Sequence, residues 1–230
     1  MTKEVDFHHL GIIDYKEAWD KQESYHKEIV ERKLGGGLDS NYGGHLILCE
    51  HPHVYTLGKS GAENNLLIND NFLQKIGATY YKINRGGDIT YHGPGQLVGY
   101  PIIDLEQFGL HVKEYVSKLE EAIIKVLGEY GISASRLDGA TGVWLDASVP
   151  GKARKICAIG VRVSRYVTMH GFALNVNTDL TYFNHINPCG FTDKGVTSME
   201  KELGRELPVA KVENSMKAAL ASVFDFSIRQ

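Results

Sequence analysis

Apolar positions along the chain fall into short runs that suit strands and longer stripes that suit helices. Val5–Ile13 predicts a first strand. Asp14 with Glu17 fits a capping box opening a helix, in which Ala18, Trp19, Tyr25, Ile29 and Val30 share a face. The glycine triplet 35–37 ends it. HLILCE at 45–50 is a near-continuous apolar run, the pattern of a buried strand. A short helix near 69–76 and a strand over 78–84 follow. Val112, Tyr115, Val116, Leu119, Ile123, Val126 and Leu127 keep helical spacing, so 111–130 is expected to be the longest helix, packed by one face on a sheet. Three strand patterns come next, at 142–146, 155–164 and 166–175, with the polar turn ASVPGKAR between the first two. After an irregular stretch from Asp179, Thr197 with Glu200 predicts another capping box, and Pro208 opens a final amphipathic helix running to Phe224. Strands and helices mix without strict βαβ alternation. The pattern predicts an α/β (α+β) domain spanning 1–230, with a mixed, largely antiparallel sheet flanked by helices.

Composition narrows the function more than the fold. A net charge of −3 with no long block of like charge gives no footprint for nucleic acid. The start, MTKEVDFHHLGII, has no signal-peptide core, and no apolar run reaches the length of a membrane span. A cytoplasmic protein is expected. Three widely spaced cysteines (Cys49, Cys157, Cys189) make no disulfide framework and read as thiols.

The densest chemistry lies at 85–100, RGGDITYHGPGQLVGY, flanked by the apolar runs Tyr80–Ile83 and Leu97–Ile103. The segment reads as a loop or bent strand between two buried strands. Its glycines let backbone N–H groups approach a ligand closely. Arg85 suits an anionic or carbonyl group, and His92 titrates near neutrality. Two nearby patterns lead nowhere. GKS at 58–60 resembles the end of a phosphate-binding loop, but His53 stands where the loop's first glycine belongs. Cys49, His51 and His53 alternate as metal ligands on a strand would, yet Pro52 interrupts them and no fourth ligand follows by spacing. No metal is expected there.

Further along, Lys155 heads the apolar strand KICAIGVR, where its residue type alone favours a strand-end lysine whose ammonium reaches solvent. HGFALNVN at 170–177 places a glycine inside a strand. Cys49 and Cys157 sit in apolar strands as small hydrophobes. Cys189, between Pro188 and Gly190, occupies a loop setting that suits either a thiolate or an idle turn residue.

The run R-G-G-x-x-T-Y-H-x-x-G-Q-x-x-x-Y, fixed here by Arg85, Thr90, His92, Gln96 and Tyr100, resembles the signature of the lipoyl(octanoyl) transferases. K-x-x-A-I-G at Lys155, the H-G-F-A-L segment and N-P-C-G around Cys189 resemble that family too, in the right order, so the resemblance runs from about Leu46 to Thr197. It implies the biotin/lipoate protein ligase catalytic fold and octanoyl transfer from acyl carrier protein to a lysine of a lipoyl-domain protein, such as glycine cleavage H protein or a 2-oxoacid dehydrogenase E2. It implies Cys189 and Lys155 as the catalytic pair, with no cofactor. It implies an acyl pocket of Arg85, Gly86, Gly87, Asp88, Ile89, Thr90, Tyr91 and His92, with Ala158, Ile159, Gly160, Gly171, Phe172 and Ala173. Cys157 departs from the family, where a small residue such as alanine is usual. The rival readings are an ATP-dependent ligase of the same fold and a non-catalytic acyl-binding module.

Overall fold

A computed structural model describes residues 2–187 and 194–229. In chain order the elements are β1 (Lys3–Ile12), α1 (Tyr15–Leu34), β2 (Tyr42–Glu50), β3 (Val54–Leu57), α2 (Asp70–Lys75), β4 (Thr79–Lys82), β5 (Ile89–His92) and β6 (Gln96–Ile102). Then come α3 (Val112–Glu129), β7 (Ser135–Leu137), β8 (Ala140–Leu145), β9 (Arg154–Ser164), β10 (Val167–Asn175), β11 (Gly195–Val196), α4 (Met199–Leu203), α5 (Val209–Phe224) and β12 (Phe226–Arg229). Among the described residues no helix is long and apolar enough to cross a membrane.

The main sheet runs β12-β1-β2-β6-β10-β9-β8-β7, with β11 lying against the start of β9. Its centre is antiparallel, while β12, β1 and β2 pair in parallel at one edge. The mixed, largely antiparallel sheet expected from the sequence is therefore present.

Both faces of the sheet are covered, and the two-residue alternation of a strand sorts its side chains between them. Leu46 and Leu48 of β2, Leu97 of β6 and Leu174 of β10 join the core under α3 and α5. Ile47, Cys49, Val98, Tyr100 and Ala173, one position away along the same strands, face the layer under α1. On the α3 face the stripe Tyr115, Leu119, Ile123 and Val126 is buried as its spacing requires.

Several boundaries differ from the sequence reading. α1 has 20 residues and α3 has 18, so α1 is the longer helix. Ser198, not Thr197, caps α4 by accepting from Lys201 N–H, while the Thr197 hydroxyl turns to Glu202. β12 follows α5 directly, because Asp225 takes a left-handed conformation (φ 58°) that ends the helix and turns the chain onto β1.

β4, β3 and β5 form a separate three-stranded sheet, with β3 in the middle. The segment 85–100 therefore belongs to two sheets: β5 to the small one and β6 to the large one. β4 is an edge strand with half-exposed tyrosines rather than a buried one. The small sheet has its own core of Tyr55, Leu57, Leu73, Ile89, Tyr91 and Ile186.

Candidate active site

A cavity of about 350 Å³ lies between the small sheet and the central strands β6, β10 and β9. That volume is in the range of small-ligand sites. Much of its wall is apolar: Ile89, Val98, Ala158, Ala173, Phe183, Ile186 and Val196. Tyr15, at the start of α1, closes one side and stacks on His92 with ring centres 5.8 Å apart and planes 11° apart.

The turn 85–87 packs closely against neighbouring backbone, and Gly87 also lines the cavity. The turn 85–87 is held between two strand systems. Gly86 N–H donates to the Val161 carbonyl at 2.9 Å, and Ser60 N–H donates to the Gly87 carbonyl at 3.1 Å. A β-carbon on Gly160 would meet the Gly86 carbonyl at 2.9 Å, and one on Gly58 would meet the Gly87 carbonyl at 2.3 Å. The GKS stretch is thus a packing surface for this turn. Arg85 is buried and ties the turn down, donating to the Thr56 carbonyl at 2.7 Å, Thr56 Oγ1 at 3.0 Å and the Gly86 carbonyl at 3.0 Å.

Of the β5 residues, Ile89, Thr90 and His92 line the cavity and Tyr91 does not. Thr90 and His92 face it, whereas Tyr91 turns into the small core, where its hydroxyl lies 2.7 Å from His53 Nδ1 and its ring stacks on Tyr182. His92 heads a chain of hydrogen bonds with a fixed direction. Gln96 Nε2 donates to the Tyr91 carbonyl (3.1 Å) and to Asn175 Oδ1 (2.9 Å), and Asn175 Nδ2 donates to the Thr197 carbonyl (2.9 Å). Gln96 Oε1 is therefore the acceptor for His92 Nδ1–H at 2.8 Å, which leaves the lone pair on Nε2. Burial, with His51 nearby, pushes the His92 pKa down to about 3, so the ring is neutral.

Two further histidines surround this wall. His51 Nδ1–H donates to the Ile13 carbonyl, and its Nε2 accepts from Tyr100 Oη at 2.7 Å. His170 takes a left-handed conformation (φ 58°), its N–H donates to Gln22 Oε1, and its Nε2 lies 3.0 Å from Asn84 Oδ1. Burial lowers their pKa values to about 4 and about 3. His51 thus serves the protein's own hydrogen bonding, and His53 stacks on Tyr182 with ring centres 4.2 Å apart.

At the other end of the cavity stands Lys155, paired in register with Trp144 of β8 and with Val196 of β11. Its neighbours Cys157 and Ala158 part ways: Cys157 points into the α3/α5 core and Ala158 into the cavity wall. Burial raises the Cys157 thiol far above its ordinary range, and the same holds for Cys49.

Residues 14–221 match the lipoyl protein ligase A/B catalytic domain. The chain belongs to that family. It is 59% identical over 205 residues to the octanoyltransferase of Bacteroides fragilis, covering 89% of this chain and 91% of that one. It is 52% identical over 233 residues to the octanoyltransferase of Christiangramia forsetii, covering 100% and 99%. These identities over nearly the full length set this family member among the octanoyltransferases, which are acyltransferases, as the resemblance of 85–100 implied. In fold it is similar to a bipartite lipoate protein ligase from Thermoplasma acidophilum, with a TM-score of 0.73 at 13% identity over 100% of this chain and 87% of that one.

In this lipoyl protein ligase A/B family member, most of the expected site residues meet at one cavity: Lys155 of the expected catalytic pair and Arg85, Gly87, Asp88, Ile89, Thr90, His92, Ala158, Ile159, Gly160, Gly171, Phe172 and Ala173 of the expected pocket all line it. Gly86 and Tyr91 stand behind the lining, in the roles described above. Cys189 lies outside the described residues. The sequence reading missed Tyr15, Trp144 and Asn175, which also line the cavity. Trp144 follows Gly142 by two positions on β8, and that small-then-aromatic alternation opposite a strand lysine was the available signal. Tyr15 gave none, because a tyrosine in the first turn of an amphipathic helix reads as core.

Proposed function

We propose that the chain moves an octanoyl group from acyl carrier protein to the ε-amine of a lysine on a lipoyl-domain protein. Cys189 is the nucleophile, Lys155 its partner and residues 1–230 one catalytic unit acting in the cytoplasm. The acceptor class includes glycine cleavage H protein and 2-oxoacid dehydrogenase E2. The observation that carries this reading is the cavity itself: largely apolar, with Lys155 among the residues that line it. Ile186 and Lys194, which flank the Cys189 segment in sequence, both line it.

The chemistry runs in two steps. The Cys189 thiolate adds to the thioester carbonyl of the donor. The carrier's C–S bond then breaks, its thiol leaves with a proton given by the Lys155 ammonium, and an octanoyl thioester remains on the enzyme. The acceptor amine attacks that carbonyl next. An amide forms, the enzyme's C–S bond breaks, and the proton shed by the acceptor amine passes to the now neutral Lys155 amine, which restores the ammonium beside the freed thiolate. A neighbouring ammonium favours a thiolate by Coulomb attraction, which is the part Lys155 plays in the first step. His92, neutral and with only Nε2 left to accept, positions the substrate and is too weak a base to take the proton. Amides are more stable than thioesters, so no nucleotide is needed. Octanoyl transfer from carrier protein to an apo lipoyl domain is expected to proceed equally with and without ATP and Mg²⁺. Strict ATP dependence, or activity with free octanoate alone, would move the chain to the ligases.

The acyl chain is assigned to the apolar stretch past Lys155, where each buried CH₂ contributes roughly 0.8 kcal/mol. Gly171 and Gly87, the obvious positions to fill, are unsuitable probes. A β-carbon on Gly171 would meet the Gly99 carbonyl at 2.2 Å, which would disrupt the β6–β10 pairing, and Gly87 has φ 86°. Ala158 lines the cavity without such a constraint. Ala158→Leu is expected to raise KM for octanoyl donors at least tenfold while butyryl transfer changes little. Equal losses with both chain lengths would place the acyl group elsewhere.

A further inference from the structure

Lys155 shares its end of the cavity with Trp144, its register partner across β8 and β9. The Lys155 ammonium sits 4.6 Å from the centre of the indole ring. The ring is 2% exposed, and its Nε1–H donates to the Ala140 carbonyl at 2.9 Å, which fixes the ring plane on its own strand. Gly142, two residues earlier, clears the way for the lysine stem: a β-carbon there would meet the Cys157 carbonyl at 2.6 Å and Lys155 Cε at 3.4 Å. The strand is braced from the opposite face of the sheet. Glu120 of α3 accepts from Gly142 N–H at 3.1 Å and pairs with Arg136 Nε at 3.0 Å.

We propose that Trp144 is a positioning residue for acyl transfer: its ring face holds the Lys155 ammonium at the reacting end of the cavity and favours its charged form. This deepens the proposed function and rests on the role given there to Lys155. An indole carries negative electrostatic potential on its face, and a cation placed over it is stabilised, more so when water is excluded. The neutral amine gains nothing comparable, so the ring biases the group toward the ammonium. The ring is also a partner that does not compete. A carboxylate in the same place would hold the ammonium, but would oppose the thiolate that the ammonium is there to favour. A neutral π face stabilises the cation without placing a negative charge beside the sulfur.

The sequence has two tryptophans, Trp19 and Trp144. Trp19 is not among the cavity's lining residues. In a Trp19→Phe background, ring-fluorinated tryptophans therefore report on position 144 alone. Fluorine drains the ring face with little change in size, so the fold is kept. In the full-length enzyme, kcat/KM for octanoyl-carrier protein is measured against pH for the unlabelled, monofluoro, difluoro and trifluoro proteins. The basic limb, where Lys155 loses its proton, is expected to move to lower pH with each added fluorine, by about half to one pH unit over the series. A basic limb that stays in place overturns the assignment of Trp144. A second measurement separates that failure from failure of the underlying reading: the pH profile of Cys189 alkylation by iodoacetamide in Lys155→Met. A shift to higher pH there supports Lys155 as the thiolate's partner, and a stationary limb in the fluorinated series then counts against Trp144 alone. An unmoved alkylation profile overturns the role of Lys155, and the proposal for Trp144 with it.

Discussion

Octanoyl-carrier protein mixed with the Cys189→Ser variant is expected to leave no thioester adduct on the enzyme, whereas Cys49→Ser and Cys157→Ala keep the adduct and most of the activity. A nucleophile removed from an enzyme of this kind lowers kcat by roughly 10⁴-fold or more. A serine hydroxyl does not substitute, because nothing in the proposed pair lowers its pKa far enough. The two control cysteines are excluded by where the sheet puts them. Cys49 lies in the layer under α1 and Cys157 in the core under α3 and α5, and burial raises both thiols above their ordinary range. A thiol held protonated among aliphatic side chains is a poor nucleophile. Intact-mass measurement followed by peptide mapping decides the matter. An adduct on Cys157, or octanoyl transfer by Cys189→Ser within tenfold of the unsubstituted enzyme, would overturn the assignment.

A second large effect is expected from acid. His45, His51, His92 and His170 are buried, and burial lowers their pKa values from 6.5 to about 4, 4, 3 and 3. In the unfolded chain each takes up a proton near its ordinary value. Between about pH 6.5 and 4 the unfolded state therefore binds more protons than the native state, and stability falls as pH falls. The contribution is fully present above pH 6.5 and is lost through that window. Near pH 5 the unfolded state holds close to four extra protons, which corresponds to a slope of up to about 5 kcal/mol per pH unit. Set against a typical total of about 5–15 kcal/mol, that is enough to unfold the protein well before its carboxylates titrate. Urea midpoints measured at intervals from pH 7.5 to 4.5 test this. A midpoint that stays level down to pH 5 would mean that these rings are solvated or charged in the native state. His45→Gln or His51→Gln should each flatten the slope by about one proton.

Much of this arrangement was legible because its signals are local. The stripe Tyr115, Leu119, Ile123 and Val126 needs only helical spacing to be read as a buried face, and it is one. The glycines around Arg85 mark a place where backbones meet, Gly86 against Gly160 and Gly87 against Gly58. What sequence pattern does not carry is which sheet a strand joins. β5 and β6 are separated by one tight turn, yet they belong to different sheets, and the cavity is the space that this division opens. The contribution of Trp144 was hidden for a similar reason, since cross-strand register is set by the turn at 146–153 and not by anything in KICAIGVR itself. Thr197 was passed over as a cap because its neighbour Ser198 offers the same hydroxyl one position further on, where it reaches Lys201 N–H at 3.2 Å.

The sorting of Cys49 and Cys157 onto opposite faces of one sheet has a use beyond catalysis. Neither sulfur can meet a reagent until the layer above it lifts, so the rate at which each is alkylated in the native protein reports an opening free energy for that layer alone. Cys49 times the departure of α1, and Cys157 times the departure of α3 and α5. Equal opening energies would describe a sheet that releases both coverings in one cooperative event. A faster Cys49 would describe a protein whose cavity side loosens while its opposite core stays closed.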